Sequence, residues 1–269
     1  MHVAGKTVAV TGGGNGIGRE LVLNLLGRGA RVAALDLSEA GLKETVDLAG
    51  DAADRLSTHV VDITDRKAVE ALPEAIVAVH GQVDGVVNCA GIIQPFVRLN
   101  DLSYGDIERV MNVNFWGLLY VTKTFLPHLL ERPAAHIVNV SSMGGFLPVP
   151  GQTIYGASKA AVKLLTEGLH SELTGTPVSV TVVFPGAIGT NIAANSGLDM
   201  PARSDSDKAP SITPLPAPEA AQIIVDAMER DAFRVTVGKD ARTMDRLSRL
   251  APRRAAALIY SKMKELLPG

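Results

Sequence analysis

The chain has 269 residues, 46% hydrophobic and 20% charged, enough for one large α/β domain with a sizeable core. Its net charge of −2 argues against a nucleic-acid binder built on bulk charge. The one cysteine, Cys89, excludes an intrachain disulfide and a cysteine metal cluster, so no metal site is expected.

The opening stretch MHVAGKTVAV is too short and too weakly apolar for a signal peptide. No run approaches the roughly 18 apolar residues of a membrane-spanning helix. A reduced, cytoplasmic setting is expected. KTVAVT at 6–11 then reads as a short strand, TGGGNGIG at 11–18 as a glycine turn, and GRELVLNLLGRG as a helix. That order is the context a dinucleotide-binding loop requires. Gly12, Gly14, Gly16 and Gly18, with Asn15 and Ile17 among them, let the backbone approach a pyrophosphate, and the helix N-terminus offers free N–H groups. An ordinary tight turn is the plainer alternative.

RVAALD at 31–36 is a second strand, and its terminal Asp36 comes about twenty residues after the glycine loop. A carboxylate there accepts hydrogen bonds from both hydroxyls of an adenosine ribose and repels a 2′-phosphate. Neither Asn15 nor Leu37 supplies a cation for such a phosphate, so NAD(H) is expected over NADP(H). The alternative role, capping the helix SEAGLKETVDLA, is one that Ser38 can fill. STHVVDIT at 57–64 is the third strand, ending in Asp62 and Ile63, an acidic–apolar pair suited to flank an adenine ring. After the helix ALPEAIVAVHG, the strand VDGVVNCAG at 83–91 opens Asn88, Ala90 and Gly91 toward the same edge.

The long segment SYGDIERVMNVNFWGLLYVTKTFLPHLL reads as one helix with Asn112 and Asn114 inside it. Asn is a poor helix-interior residue, so at least one of them has a polar task. The strand AHIVNVSS ends at Ser141–Ser142, and a helix over 153–173 follows. Tyr155 and Lys159, four apart, share one face of it. An ammonium beside a phenol favours the phenolate and lowers its pKa from about 10, which suits a general acid or base. Ser142 can bond the same substrate oxygen. Taken by itself, the Tyr–Lys spacing is equally that of an ordinary helix start.

VSVTVVFPG at 178–186 completes six strands, and RVTVG at 234–238 reads as a last one. The alternation implies a mostly parallel, doubly wound α/β sheet with helices on both faces, and ligands bind beyond the carboxyl ends of its strands. All the singled-out residues fall at those ends. Residues 187–218 lose regularity: Pro210, Pro214, Pro216 and Pro218 break helices, and scattered apolar residues such as Ile192, Met200 and Ile212 suit a substrate lid. The catalytic domain is expected over 1–240, with a helical extension over 241–269. From Lys239 onward, eight basic residues face three acidic ones, a net of +5, so the first 238 residues carry −7. Met244, Leu247 and Leu250 form one candidate apolar stripe of this tail, and Leu258, Ile259, Met263 and Leu266 a second.

These motifs, in this order, resemble the short-chain dehydrogenase/reductase family over residues 5–240: TGGGNGIG, Asp36, Asp62–Ile63, NCAG at 88–91, NVNFWG at 112–117, Ser142, YGASK at 155–159 and PGAIGT at 185–190. The resemblance implies a Rossmann-type fold and a catalytic tetrad. Asn114 bends its helix and anchors a water near Lys159; Ser142 orients the substrate oxygen; Tyr155 is the acid/base; Lys159 lowers the Tyr155 pKa and holds the nicotinamide ribose. It also implies cofactor contacts at Pro185, Gly186, Ile188 and Thr190. Cys89 departs from the pattern, standing where many members carry a second Asn, and with no His near it in sequence it is not expected to act as a nucleophile.

The expectation is an NAD-dependent enzyme interconverting a secondary alcohol and its ketone, or a primary alcohol and aldehyde. A cofactor-binding regulatory or scaffold protein of the same fold is the alternative. Met143, Phe146 and Gln152 are candidate substrate contacts, and no basic residue between Ser142 and Lys159 can hold an anionic group, so the substrate is expected to be apolar. A homodimer or homotetramer is expected through the helices at 104–130 and 153–173. The tail is expected to pack on protein; lying on an anionic membrane is the less favoured alternative.

Overall fold

The computed structural model describes residues 1–198, 213–264 and 267. In chain order the strands are β1 (Thr7–Thr11), β2 (Arg31–Asp36), β3 (Leu56–Val60), β4 (Gly85–Asn88), β5 (Ala135–Val140), β6 (Val178–Pro185), β7 (Ile188–Gly189), β8 (Leu215–Pro216) and β9 (Arg234–Val237). The helices are α1 (Gly16–Gly27), α2 (Glu39–Ala49), α3 (Arg66–Glu70), α4 (Leu72–His80), α5 (Tyr104–Met111), α6 (Leu118–Leu130), α7 (Thr153–Glu172), α8 (Ile192–Asn195), α9 (Ala217–Glu229), α10 (Lys239–Leu250) and α11 (Pro252–Met263). Seven strands form one sheet in the order β3-β2-β1-β4-β5-β6-β9, and every neighbouring pair is parallel. This is the doubly wound α/β architecture expected from the alternation.

Alternating side chains divide the core between the two sheet faces. Val8, Val10 and Val32 pack with Leu21 and Leu25 of α1 and Ile224 of α9. Ala9, Ala33, Val86 and Ile137 pack with Phe125 and Leu129 of α6 and Leu169 of α7. The strand order reverses between β1 and β4, and the crevice beyond such a reversal is where an open α/β sheet binds its ligand. β1 ends there in the glycine loop.

Three local features differ from the sequence reading. β3 stops at Val60, so Asp62 and Ile63 lie in the turn beyond it. The expected long helix is three pieces, with Asn112–Gly117 π-helical between α5 and α6. The wider turn accompanies Asn114, whose amide bonds outside the helix, a usual setting for a π-bulge. In the lid region β7 pairs in parallel with β8, while residues 199–212, including Met200, Pro210 and Ile212, lie outside the described residues.

In the tail, α10 and α11 bury Ala241, Ala255 and Ile259, but Leu250 is 86% exposed, so the first predicted stripe does not face one surface. At 3.6 residues per turn, three-residue steps carry Leu250 about 120° round α10 from Met244; the chain then leaves helical geometry at Ala251 (φ −146°, ψ 67°) before Pro252 restarts it. Asp245 of α10 pairs with Arg234 of β9 at 2.5 Å, and Arg234 lies 4.1 Å over the Phe184 ring. Leu266 is outside the described residues. No helix among the described residues is long and apolar enough to cross a membrane.

Candidate active site

A cavity of about 580 Å³ opens beyond the carboxyl ends of β1, β2, β4, β5 and β6. Its dinucleotide side begins with the glycine loop. Gly12 has φ +74°, and a Cβ there would sit 3.1 Å from the Ala90 backbone. A Cβ on Gly18 would lie 2.0 Å from the carbonyl oxygen of Gly12, so helix α1 starts in van der Waals contact with the loop. Asn15 at the N-cap of α1 makes no side-chain capping bond, leaving first-turn N–H groups available to an anion.

Asp36 braces this loop. One carboxylate oxygen accepts from Gly14 N and the other from Ser38 N, both at 2.9 Å. The capping of α2 falls to Ser38, which accepts from Gly41 N. Arg19 approaches the same corner, but its guanidinium is held by Glu44 at 2.6 Å and by Thr45. Gly14, Asn15, Gly16, Ile17, Asp36, Asp62, Ile63, Ala90, Gly91, Pro185, Gly186, Ile188 and Thr190 all border the cavity, as do Gly12 and Gly18. The glycine cradle, the open helix end and the partly free carboxylate fit a dinucleotide.

Asn88 is the exception among the expected cofactor contacts. It is 2% exposed and does not border the cavity. Its Nδ2 donates to Thr122 Oγ1 and Asn139 Oδ1 at 3.0 and 2.8 Å, so it ties β4 to β5 and α6 instead. As the last residue of β4 its side chain follows the strand alternation into the packed face, one position before the wall.

Ser142, Tyr155 and Lys159 converge on the same cavity. Ser142 Oγ accepts from Gly144 N at 3.0 Å, at the end of β5. Lys159 is 4% exposed, and its ammonium donates to Val140 O at 3.0 Å. Asn114 lies behind the wall, fully buried. Its Oδ1 accepts from Ile92 N, and its Nδ2 donates to Ile92 O and Ser158 Oγ. A Cβ on Gly91 would be 3.1 Å from Lys159 Nζ and 3.3 Å from Asn114 Oδ1, so the glycine lets the backbone pass close to both.

The electrostatics differ in one respect from the sequence expectation. Burial pushes the Tyr155 phenol above its ordinary value, and a hydrogen bond from Ser142 draws it only part of the way back. Burial also pulls Lys159 down to about 8, which weakens the positive charge that was to lower the phenol. Cys89 is pushed up to about 12 by burial, so it holds a neutral thiol and no nucleophilic thiolate.

The expected substrate contacts are not brought together. Met143, Phe146 and Gln152 do not border the cavity. Phe146 turns back to stack on Phe184, with ring centroids 5.4 Å apart. Gln152 is 3% exposed and donates to Gln94 O at 2.7 Å. The wall is instead supplied by Ile92, Ile93 and Val113, and by Ile192 and Asn195 of α8. Sequence reading singled out Ile192 as part of the lid but missed the others, which come from separate segments with no shared spacing. Ile92 and Ile93 adjoin the NCAG motif and Val113 lies within NVNFWG, which was the signal available.

A family model for short chain dehydrogenases matches residues 6–201. A Mycobacterium tuberculosis protein named "Putative oxidoreductase SadH" is 36% identical over 274 residues, covering 98% of this chain and 97% of its own. A short chain dehydrogenase/reductase from Burkholderia phymatum, solved in complex with NAD, matches with a TM-score of 0.84 at 27% identity, over 95% of this chain and 97% of its own. A short chain dehydrogenase from Burkholderia cenocepacia, solved in complex with NADP, matches with a TM-score of 0.79 at 26% identity, over 96% and 99%. The fold is thus shared with dehydrogenases that bind either dinucleotide. The chain belongs to the short chain dehydrogenase family, oxidoreductases that act on CH–OH groups with a nucleotide cofactor.

Proposed function

We propose that this protein interconverts an apolar secondary alcohol and its ketone with NAD(H), using Tyr155 as the acid/base. The observation that carries this reading is that Ser142, Tyr155 and Lys159 open into a cavity that the glycine loop also borders. When bound, the nicotinamide dinucleotide supplies the hydride acceptor or donor. The glycine loop and the α1 N-terminus hold its phosphates, and Asp36 its adenosine ribose. In the oxidising direction the Tyr155 phenolate oxygen takes the hydroxyl proton of the alcohol. The Ser142 hydroxyl donates to the same alcohol oxygen and holds it as charge develops. Lys159, fixed on Val140 O and with its pKa at about 8 still mostly protonated at pH 7, places an ammonium that counters the burial holding the phenol up, and Asn114 keeps the neighbouring backbone at Ile92 in place.

The preference for NAD rests on Asp36 and on Arg19, whose guanidinium is engaged by Glu44. The apolar substrate class rests on the wall of Ile92, Ile93, Val113 and Ile192, and on the charged residues bordering the cavity being Asp36, Asp62 and Lys159 alone among the described residues. Trp116 in the π-turn before α6 and Leu164 on α7, exposed at 44% and 68%, support a homo-oligomer. The buried Ala241, Ala255 and Ile259 support a tail packed on its own chain. The testing experiment is an assay of NADH and NADPH formation over a panel of secondary alcohols graded in size and polarity. Turnover with NAD favoured, rising with apolar bulk, is expected. Equal use of both dinucleotides, or activity confined to charged alcohols, contradicts the reading.

A further inference from the structure

The helix that presents Tyr155 begins without a cap of its own. Gln152 occupies its N-cap position, and the Gln152 side chain makes no capping hydrogen bond. First-turn N–H groups have no partner inside a helix and must find one outside it. Here Ile154 N and Tyr155 N both donate to Oε1 of Gln94, at 2.8 and 3.0 Å. Gln94 stands 60 residues upstream of Ile154 and is fully buried. Gln152 returns the contact, donating to Gln94 O at 2.7 Å. Two buried glutamines thus clamp the start of α7 to the segment Ile92–Gln94.

That segment meets three parts of the site through three consecutive residues. Ile92 holds Asn114 through both its backbone groups. Ile93 N donates to the buried Ser196 Oγ at 3.0 Å, just beyond the α8 residues Ile192 and Asn195 on the cavity wall. Gln94 holds the N–H of Tyr155 itself. The cap is also uncharged. The charged or titratable groups that border the cavity with Tyr155 are Lys159 on its own helix, the neutral Cys89 thiol beyond β4, and Asp36 and Asp62 on the dinucleotide side. Residues 91–97 carry no charge, and neither do residues 142–158. An amide oxygen satisfies the two N–H groups without placing an anion beside a group that must itself become an anion.

We propose that Gln94 is a positioning residue: it fixes the first turn of α7, and through it the Tyr155 phenol, against the substrate wall. The assignment rests on the acid/base role proposed for Tyr155. Gln94→Asn keeps the amide but is one methylene shorter, so its oxygen no longer reaches both N–H groups. It is expected to lower kcat about tenfold or more while dinucleotide Kd stays unchanged. Gln94→Glu keeps the reach and the acceptor oxygen, so it is expected to recover most of the lost turnover measured against wild type at the same pH, with the pH at which kcat rises shifted upward by the added anion beside Tyr155. Gln152→Leu, which frees only the Gln94 carbonyl, is expected to give a smaller loss of kcat in the same direction. Circular dichroism and thermal unfolding establish that each variant is folded. Wild-type kcat in folded Gln94→Asn, or loss of dinucleotide affinity in step with kcat, overturns the assignment. So does a Gln94→Glu enzyme as slow as Gln94→Asn. Tyr155→Phe is measured alongside: full turnover in that variant sinks the acid/base reading itself, independently of how the Gln94 variants behave.

Discussion

The dinucleotide wall and the substrate wall of the cavity are built in different ways. The first is mostly backbone in contact with backbone. Gly12 lies against Ala90, Gly18 touches Gly12 with no room for an added methyl group, and Asp36 braces Gly14. The second is made of side chains from scattered segments: Ile92 and Ile93 after β4, Val113 in the π-turn, Ile192 and Asn195 on α8. Backbone contact demands glycine at fixed spacing, whereas a side-chain wall accepts many residues of similar volume. The first wall is therefore tied to its sequence and the second is free to vary with the substrate.

Gly18→Ala should break the dinucleotide wall most severely. Its Cβ meets a carbonyl oxygen that belongs to the loop itself, so the loop or the helix must shift. Overpacking of this kind costs about 1–3 kcal/mol, which corresponds to about 5- to 150-fold in dinucleotide Kd by fluorescence titration. Unchanged affinity would mean the loop has slack that its contacts deny. Asp36→Ala comes next. Removing a charged acceptor is worth about 1.5–3 kcal/mol, so the ratio of kcat/KM for NAD over NADP should narrow by about tenfold or more. A ratio that stays fixed would place the discrimination elsewhere.

The smallest effects belong to the substrate wall and separate lining residues from their neighbours. Ile192→Ala opens the wall and should raise KM for a bulky apolar alcohol by a factor of about 10, since a lost methylene contact is worth about 1–3 kcal/mol. Phe146→Ala should leave that KM unchanged and lower Tm instead, because its ring packs on Phe184 and beside Arg234 rather than on the cavity. A KM that follows Phe146 and ignores Ile192 would reverse the placement of the wall.

The contrast also explains what the sequence made legible. Strand–helix alternation, the glycine loop and Asp36 are local patterns, and the structure brings them to one sheet edge. Ser142, Tyr155 and Lys159 were equally readable, because a strand end and one helix face fix where they point. The π-turn at Asn112–Gly117 was partly visible as two Asn residues in an apolar helix. Asn88 misled because a residue at a strand end can turn to either face, and a shift of one position decides which. Met143, Phe146 and Gln152 misled for a related reason. Following Ser142 in sequence does not put a side chain on its side of the turn. The cap on α7 was invisible, since Gln94 and Tyr155 share no local pattern at all.

The central claim is that Tyr155 exchanges the proton in a cavity whose other side binds the dinucleotide independently. Tyr155→Phe tests it most directly, with turnover and NADH Kd measured on the same preparation. General acid–base groups contribute about 10²–10⁴-fold, so kcat should fall by that factor while Kd for NADH stays unchanged. Turnover at the wild-type rate, or a loss of NADH affinity as large as the loss of turnover, would contradict it.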